Sequence, residues 1–166
     1  MREERIAATS WQLRASLLWL VVIGIVGVAI VLAFERHWDG YWQLVPWAVL
    51  GVIFLALLAI VLFPSSVTRK FVLLVTVATI IASCLGLWQH FDANYQSASQ
   101  DANYTDRWED MSLFDRVWEV SRGSVGHVPI YAAASLIPIA IALAMSTIGI
   151  GQQERYAEYV DPRQRR

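Results

Sequence analysis

Four stretches of this chain contain no aspartate, glutamate, lysine or arginine: Ala15 to Phe34, Trp42 to Phe63, Phe71 to Trp88 and Val128 to Gly149. Each runs to about 20 residues, the length an α-helix needs to cross a hydrocarbon core of about 30 Å. In lipid a backbone must satisfy its own hydrogen bonds, and a helix does so within one segment. The pattern predicts an all-α membrane protein with four transmembrane helices in a single domain over residues 1–166. A chain of 166 residues leaves little room for a second domain. The first stretch is too long for a signal-peptide core. No small-residue cleavage site precedes Glu35-Arg36-His37, so it reads as a retained span.

Lysine and arginine near span ends set orientation. Arg2, Arg5, Arg14, Arg69, Lys70, Arg155, Arg163, Arg165 and Arg166 fall on one side, against Arg36, Arg107, Arg116 and Arg122 on the other. The bias predicts both termini in the cytoplasm. Nine acids, among them Asp39, Asp92, Asp101 and Glu119, then lie outside, so a near-zero net charge hides an acidic outer face and a basic inner one. The basic tail Arg163 to Arg166 suits anionic headgroups, or simply enforces topology. Tryptophans follow the same division. Trp38, Trp42, Trp47, Trp88, Trp108 and Trp118 belong to the outer interface and Trp11 and Trp19 to the inner one, as an aromatic belt requires.

Two of the connections are short, which makes successive helices antiparallel. Asp39-Gly40 turns the first, and Pro64-Ser65-Ser66 the second. Pro46 falls near the first turn of its helix, and Pro138 in mid-span predicts a kink. The outer loop 89–127 is long enough to hold structure of its own. It carries an exact tandem repeat, Asp92-Ala93-Asn94-Tyr95 and Asp101-Ala102-Asn103-Tyr104, which reads as two turns. The spacing fits no EF-hand loop. From Asp106 to Ser121 the residues Trp108, Met111, Phe114, Val117 and Trp118 recur at helical spacing, predicting an amphipathic helix that lies in the interface, caps the bundle or docks on another subunit.

Small residues allow close helix approach in lipid. Ala78, Ala82 and Gly86, with Thr79 and Ser83 beside them, predict that the third span packs against Ala140 and Ala144 of the fourth or against a partner. The second span is bulky all round and reads as lipid-facing.

Whole classes of activity lack their residues. The spans hold no ionisable group except Cys84, which disfavours an ion-coupled pump. No phosphate loop, nucleophile elbow or His-Glu-x-x-His motif occurs, and no basic patch supports nucleic-acid binding. A single cysteine excludes an internal disulfide. What chemistry remains is histidine. His37, His90 and His127 each end an apolar stretch on the outer side, and two open similar tripeptides, His37-Trp38-Asp39 and His90-Phe91-Asp92. With Asp39 or Asp92 as a further ligand, these residues suit a metal ion, and two histidines suit a haem. An ordinary role suits them as well. At the C-terminal ends of outward-running helices an imidazole complements the dipole and bonds the last carbonyls.

Gly86-Leu87-Trp88-Gln89-His90-Phe91, followed by a loop and a Gly126-x-x-Pro129 entry into the last stretch, resembles small uncharacterised four-helix bacterial membrane proteins. The resemblance covers the C-terminal half. It implies a bacterial plasma (inner) membrane and carries no function with it. The expected function is that of a non-catalytic accessory subunit of a larger membrane complex, respiratory or photosynthetic, in contact with other membrane subunits and lipids. The alternative is a metal- or haem-binding membrane protein with its histidine site at the outer face.

Overall fold

The computed structural model describes residues 2–151, with side chains from Trp11 onward. Arg155, Arg163, Arg165 and Arg166 of the topology count, and with them the basic tail, lie outside the described residues. Within them the chain is helical, with no strand. Its elements are α1 (Arg2–Phe34), α2 (Tyr41–Leu62), α3 (Ser66–Ser97), α4 (Leu113–Ser121) and α5 (Leu136–Ser146). Short 3-10 helices cover Ala98–Gln100 and Ile130–Ser135. Three helical stretches, Trp11–Phe34, Tyr41–Leu62 and Ser66–Gln100, are long and apolar enough to cross a membrane. The fourth predicted span is instead the shorter apolar run Ile130–Ser146.

Two compact units divide the chain, residues 1–80 with 136–166, and residues 81–135. The first is held together by apolar shape. Val21 of α1, Ile53 and Ala56 of α2, Val72 of α3 and Leu143 of α5 are fully buried in its core. Helix α5 packs most broadly on α1. Gly24 makes that contact possible, because a Cβ there would stand 2.6 Å from Cγ1 of Ile139. Thr76 adds one polar tie, donating to the carbonyls of Val72 at 2.9 Å and of Ala140 at 3.2 Å. Thr76, Thr79 and Ser83 are buried on α3 and Ala78 is exposed, while Ala82 and Gly86 are half-buried and a Cβ at Gly86 would stand 2.9 Å from that of Ala133. Helix α2 is not lipid-facing all round. Leu50, Ile53, Leu57 and Ile60, at helical spacing, are buried along one side.

Helix ends explain several departures from the sequence reading. Helix α1 closes in a left-handed cap: Arg36 has φ 47°, its N–H donates to Ala33 O, and His37 N–H reaches Leu32 O at 2.9 Å. The kink expected at Pro138 takes another form. Proline lacks the N–H an α-ladder needs and crowds the carbonyl four residues back, so the chain runs as a 3-10 helix to Ser135 and turns α-helical from Leu136. Pro46 lies deeper than expected, as the sixth residue of α2.

The largest departure concerns α3. It continues to Ser97 and takes in Asp92-Ala93-Asn94-Tyr95, the first copy of the repeat, which the sequence assigns to a turn. Asparagine breaks helices when its amide competes for the local backbone. Here the amide of Asn94 is committed to the backbone of Val128, and that competition is absent.

Candidate functional site

The unit of residues 81–135 is built by polar clasps around an aromatic core. Asn94 is 1% exposed and grips Val128 twice: its Nδ2 donates to Val128 O at 2.7 Å, and its Oδ1 accepts from Val128 N at 3.0 Å. Gly126 sits so close that a Cβ would fall 2.3 Å from Asn94 Oδ1, and its φ of 73° also calls for glycine. The second repeat secures the same strand of chain. Asp101 accepts from Asn103 N at 2.9 Å and from Gly126 N at 3.1 Å. Those two backbone donors lower the Asp101 pKa, with a smaller contribution from the His127 imidazole. The repeat thus has a structural purpose. Tyr95 and Tyr104, its two tyrosines, both meet the ring of buried Trp108 edge-on, at 5.4 and 6.1 Å between centroids. Phe91 and Trp88 extend the stack along α3.

A carboxylate network fixes α4 to this core. Glu119 accepts from the Tyr104 hydroxyl at 2.6 Å, from Ser124 Oγ at 2.5 Å and from Arg122 at 2.9 Å. These donors, Ser124 and Tyr104 foremost, hold the Glu119 pKa down at about 2. Arg116 donates to the carbonyls of Glu109 and Met111 and lies over the Trp108 ring. Arg107 lies over Tyr104, 4.6 Å from its centroid. The Tyr131 hydroxyl donates to the carbonyl of Ser121.

With that side tied down, α4 turns its other side outward. Val120 is fully buried, while Leu113, Phe114 and Trp118 are 70%, 75% and 57% exposed, with Val117 between them. The helix is shorter than the sequence reading. Residues 101–110 form turns, α4 begins at Leu113, and Trp108 and Met111 belong to the core cluster rather than to the helix's apolar face. Ser112-Leu113-Phe114-Asp115 is the signal that reading missed. Ser112 Oγ accepts from Asp115 N at 3.2 Å and donates to Asp115 Oδ2 at 2.5 Å, a reciprocal N-terminal cap. Leu113, the most deeply overlooked member of the face, follows directly from placing the cap there.

The residues put forward as ligands are distributed over the chain as follows. His37 and Asp39 lie in the 35–40 turn. The carbonyl of His37 accepts from Trp47 Nε1 at 2.9 Å, and Asp39 N–H donates to Gln43 Oε1 at 2.7 Å. His90 does not end a helix, since α3 runs on for seven residues. Its Nδ1 sits 2.9 Å from the carbonyl of Pro129, a bond in which the ring nitrogen donates. Asp92 accepts from Gln96 Nε2 at 2.7 Å, and His127 is exposed near Asp101. Among the described residues no group of three or more histidine, cysteine, aspartate or glutamate side chains is placed to hold a metal ion. The feature that stands out from the structure is the apolar face of α4 on its polar mounting.

No family model matches the chain, and no match was found among curated proteins or solved structures.

Proposed function

We propose that this chain is a non-catalytic accessory subunit of a larger membrane protein complex and that it docks a partner through the outward face of α4. The single observation behind this reading is that face: Leu113, Phe114, Val117 and Trp118 exposed together on a helix whose opposite side is fastened by hydrogen bonds. Contiguous exposed apolar surface rimmed by polar groups marks interaction sites, and aromatic residues anchor interfaces.

The rim favours a protein over a lipid surface. Residues 81–135 hold seven acids and three arginines. Arg107, Arg116 and Arg122 are all engaged within the unit, on Tyr104, on Glu109 with Trp108, and on Glu119. The charge left to the surface around α4 is therefore acidic, and it repels anionic headgroups. A partner subunit with an apolar patch inside a basic rim is complementary to it.

The same proposal places the chain in a bacterial plasma membrane with four spans and both termini inside. Support for the fourth crossing comes from Ile130–Ser146. Its six 3-10 residues rise about 2.0 Å each and its eleven α-helical residues about 1.5 Å, together close to the ~30 Å core. Respiratory and photosynthetic assemblies are the complexes that fit such a subunit.

Purification from the native membrane in mild detergent, with mass spectrometry of co-purifying proteins, tests the reading. A stoichiometric membrane partner is expected with the unmodified chain. The double variant Phe114→Asp/Trp118→Asp is expected to lose that partner while keeping its helical circular dichroism. A stable, isolated monomer from native membranes sinks the proposal.

A further inference from the structure

Helices α1 and α2 are joined by the tight 35–40 turn and part at their other end. There they leave an open groove of about 390 Å³, walled by Trp11, Ala15 and Trp19 of α1 and by Phe54, Leu58 and Val61 of α2. All of these residues lie within stretches long and apolar enough to cross a membrane, so hydrocarbon rather than water is the surrounding solvent. Size decides what kind of occupant fits. Along α1 the groove runs from Trp11 to Val22, about 16 Å. A second helix, about 10 Å across with its side chains, is too thick for 390 Å³ over that length. A single extended hydrocarbon chain is not, and the volume falls in the roughly 300–1,000 Å³ range of small-molecule sites.

One charged group stands at the groove's edge. Arg14 immediately precedes Ala15 and lies one turn from Leu18, both lining residues. Its Nη2 donates to Ile148 O at 3.0 Å, which anchors the guanidinium beside α5 and leaves its other N–H groups for a further acceptor. Trp11, 66% exposed, lies just before the uncharged stretch that begins at Ala15, the level at which indoles meet headgroups. We propose that this groove is a phospholipid site: one acyl chain lies between α1 and α2, and the lipid phosphate sits on Arg14.

The test uses the full chain in mild detergent, titrated with phosphatidylglycerol whose acyl chains are brominated, while tryptophan fluorescence is read. Quenching is expected to saturate near one lipid per chain, and Trp19→Phe to remove most of the saturable part. Arg14→Gln should raise the half-saturating lipid concentration about tenfold, the factor carried by one charge-assisted hydrogen bond. Ala15→Phe, which fills the groove, should abolish saturable quenching with helical circular dichroism unchanged. Leu58→Trp, judged by native mass spectrometry of retained lipid, applies the same test from the opposite wall if Ala15→Phe does not fold. Quenching that rises without saturation, or that survives groove filling in a folded variant, overturns the proposal. So does a lipid-free dimer cross-linked through Trp11 or Trp19 that lipid fails to dissociate.

Discussion

The two units of this protein are held together by different physics. The unit of residues 1–80 and 136–166 relies on apolar fit, such as Gly24 receiving Ile139 and Ile53 and Leu143 buried in a common core. The unit of residues 81–135 relies on placed hydrogen bonds, such as Asn94 on Val128, Asp101 on Gly126 and Glu119 on Tyr104. Apolar fit is spread over many weak contacts and tolerates exchange of like for like. A buried polar clasp is concentrated in a few groups, each costly to leave unpaired. The two units should therefore fail differently under mutation.

The sharpest break is expected at Asn94. Asn94→Leu keeps the volume and strips both partners from Val128, leaving one donor and one acceptor unpaired. The cost is about 2–6 kcal/mol, from roughly 1–3 kcal/mol per buried orphan. Thermal unfolding followed by tryptophan fluorescence in detergent reads it, because Trp108 sits between Tyr95 and Tyr104. Next in size is Gly24→Val. Its branched carbons would enter space that Ile139 already fills, at a cost of about 2 kcal/mol of overpacking. The loss should appear as separation of α1 from α5 in cysteine cross-linking. A Gly24→Val chain as stable as the original would show that the first unit is looser than its contacts imply.

The same contrast decides what the sequence reveals. Absence of charge over twenty residues is a strong signal, and α1, α2 and the start of α3 follow from it. Asp92-Ala93-Asn94-Tyr95 misleads for the opposite reason. Its residues favour turns locally, and the bonds of Asn94 to Val128, more than thirty residues away, take up the amide that would otherwise compete with the helix. The α4 face was half visible. Phe114, Val117 and Trp118 carry the helical spacing, but Trp108 and Met111 share it and pack into the aromatic core instead, Trp108 buried and Met111 half-buried. His90 shows why a helix end is hard to place from sequence, since the uncharged apolar stretch stops at Trp88 and the helix does not. Once α3 passes beyond Phe91, His90 becomes a mid-helix residue bonded to Pro129 O.

Acid should separate the units without mutation. The Glu119 pKa in the folded protein, about 2, lies below its ordinary value of 4.5, so protonation favours the unfolded state. The stabilisation is complete above about pH 4.5 and is lost as the pH falls toward 2. Asp101, also lowered, adds to the loss in the same direction below its ordinary 3.8. Hydrogen exchange of residues 101–124 should accelerate over that interval while that of α1 and α5 does not. Glu119→Gln should flatten much of the response. A smaller gain is expected at Arg36, whose φ of 47° is one that side chains disfavour. Arg36→Gly relieves that strain at the cost of a more flexible unfolded chain, a net stabilisation of about 0.5 kcal/mol in the same unfolding assay.

The smallest expected loss is at Thr76, and it completes the contrast with Asn94. Both side chains are buried on α3, and both bond a carbonyl of the chain's last third, Ala140 for Thr76 and Val128 for Asn94. Their acceptors differ. Ala140 lies inside α5, where its carbonyl faces the N–H four residues on, so the Thr76 hydroxyl is a second donor to a group the helix already serves. Val128 precedes the 3-10 segment, outside any regular helix, and Asn94 supplies what a helix would have supplied. Thr76→Val keeps the shape and should cost about 0.6 kcal/mol, the average for interhelical hydrogen bonds measured in lipid. If Thr76→Val instead destabilises as much as Asn94→Leu, the first unit is polar-clasped too, and apolar fit alone does not hold it.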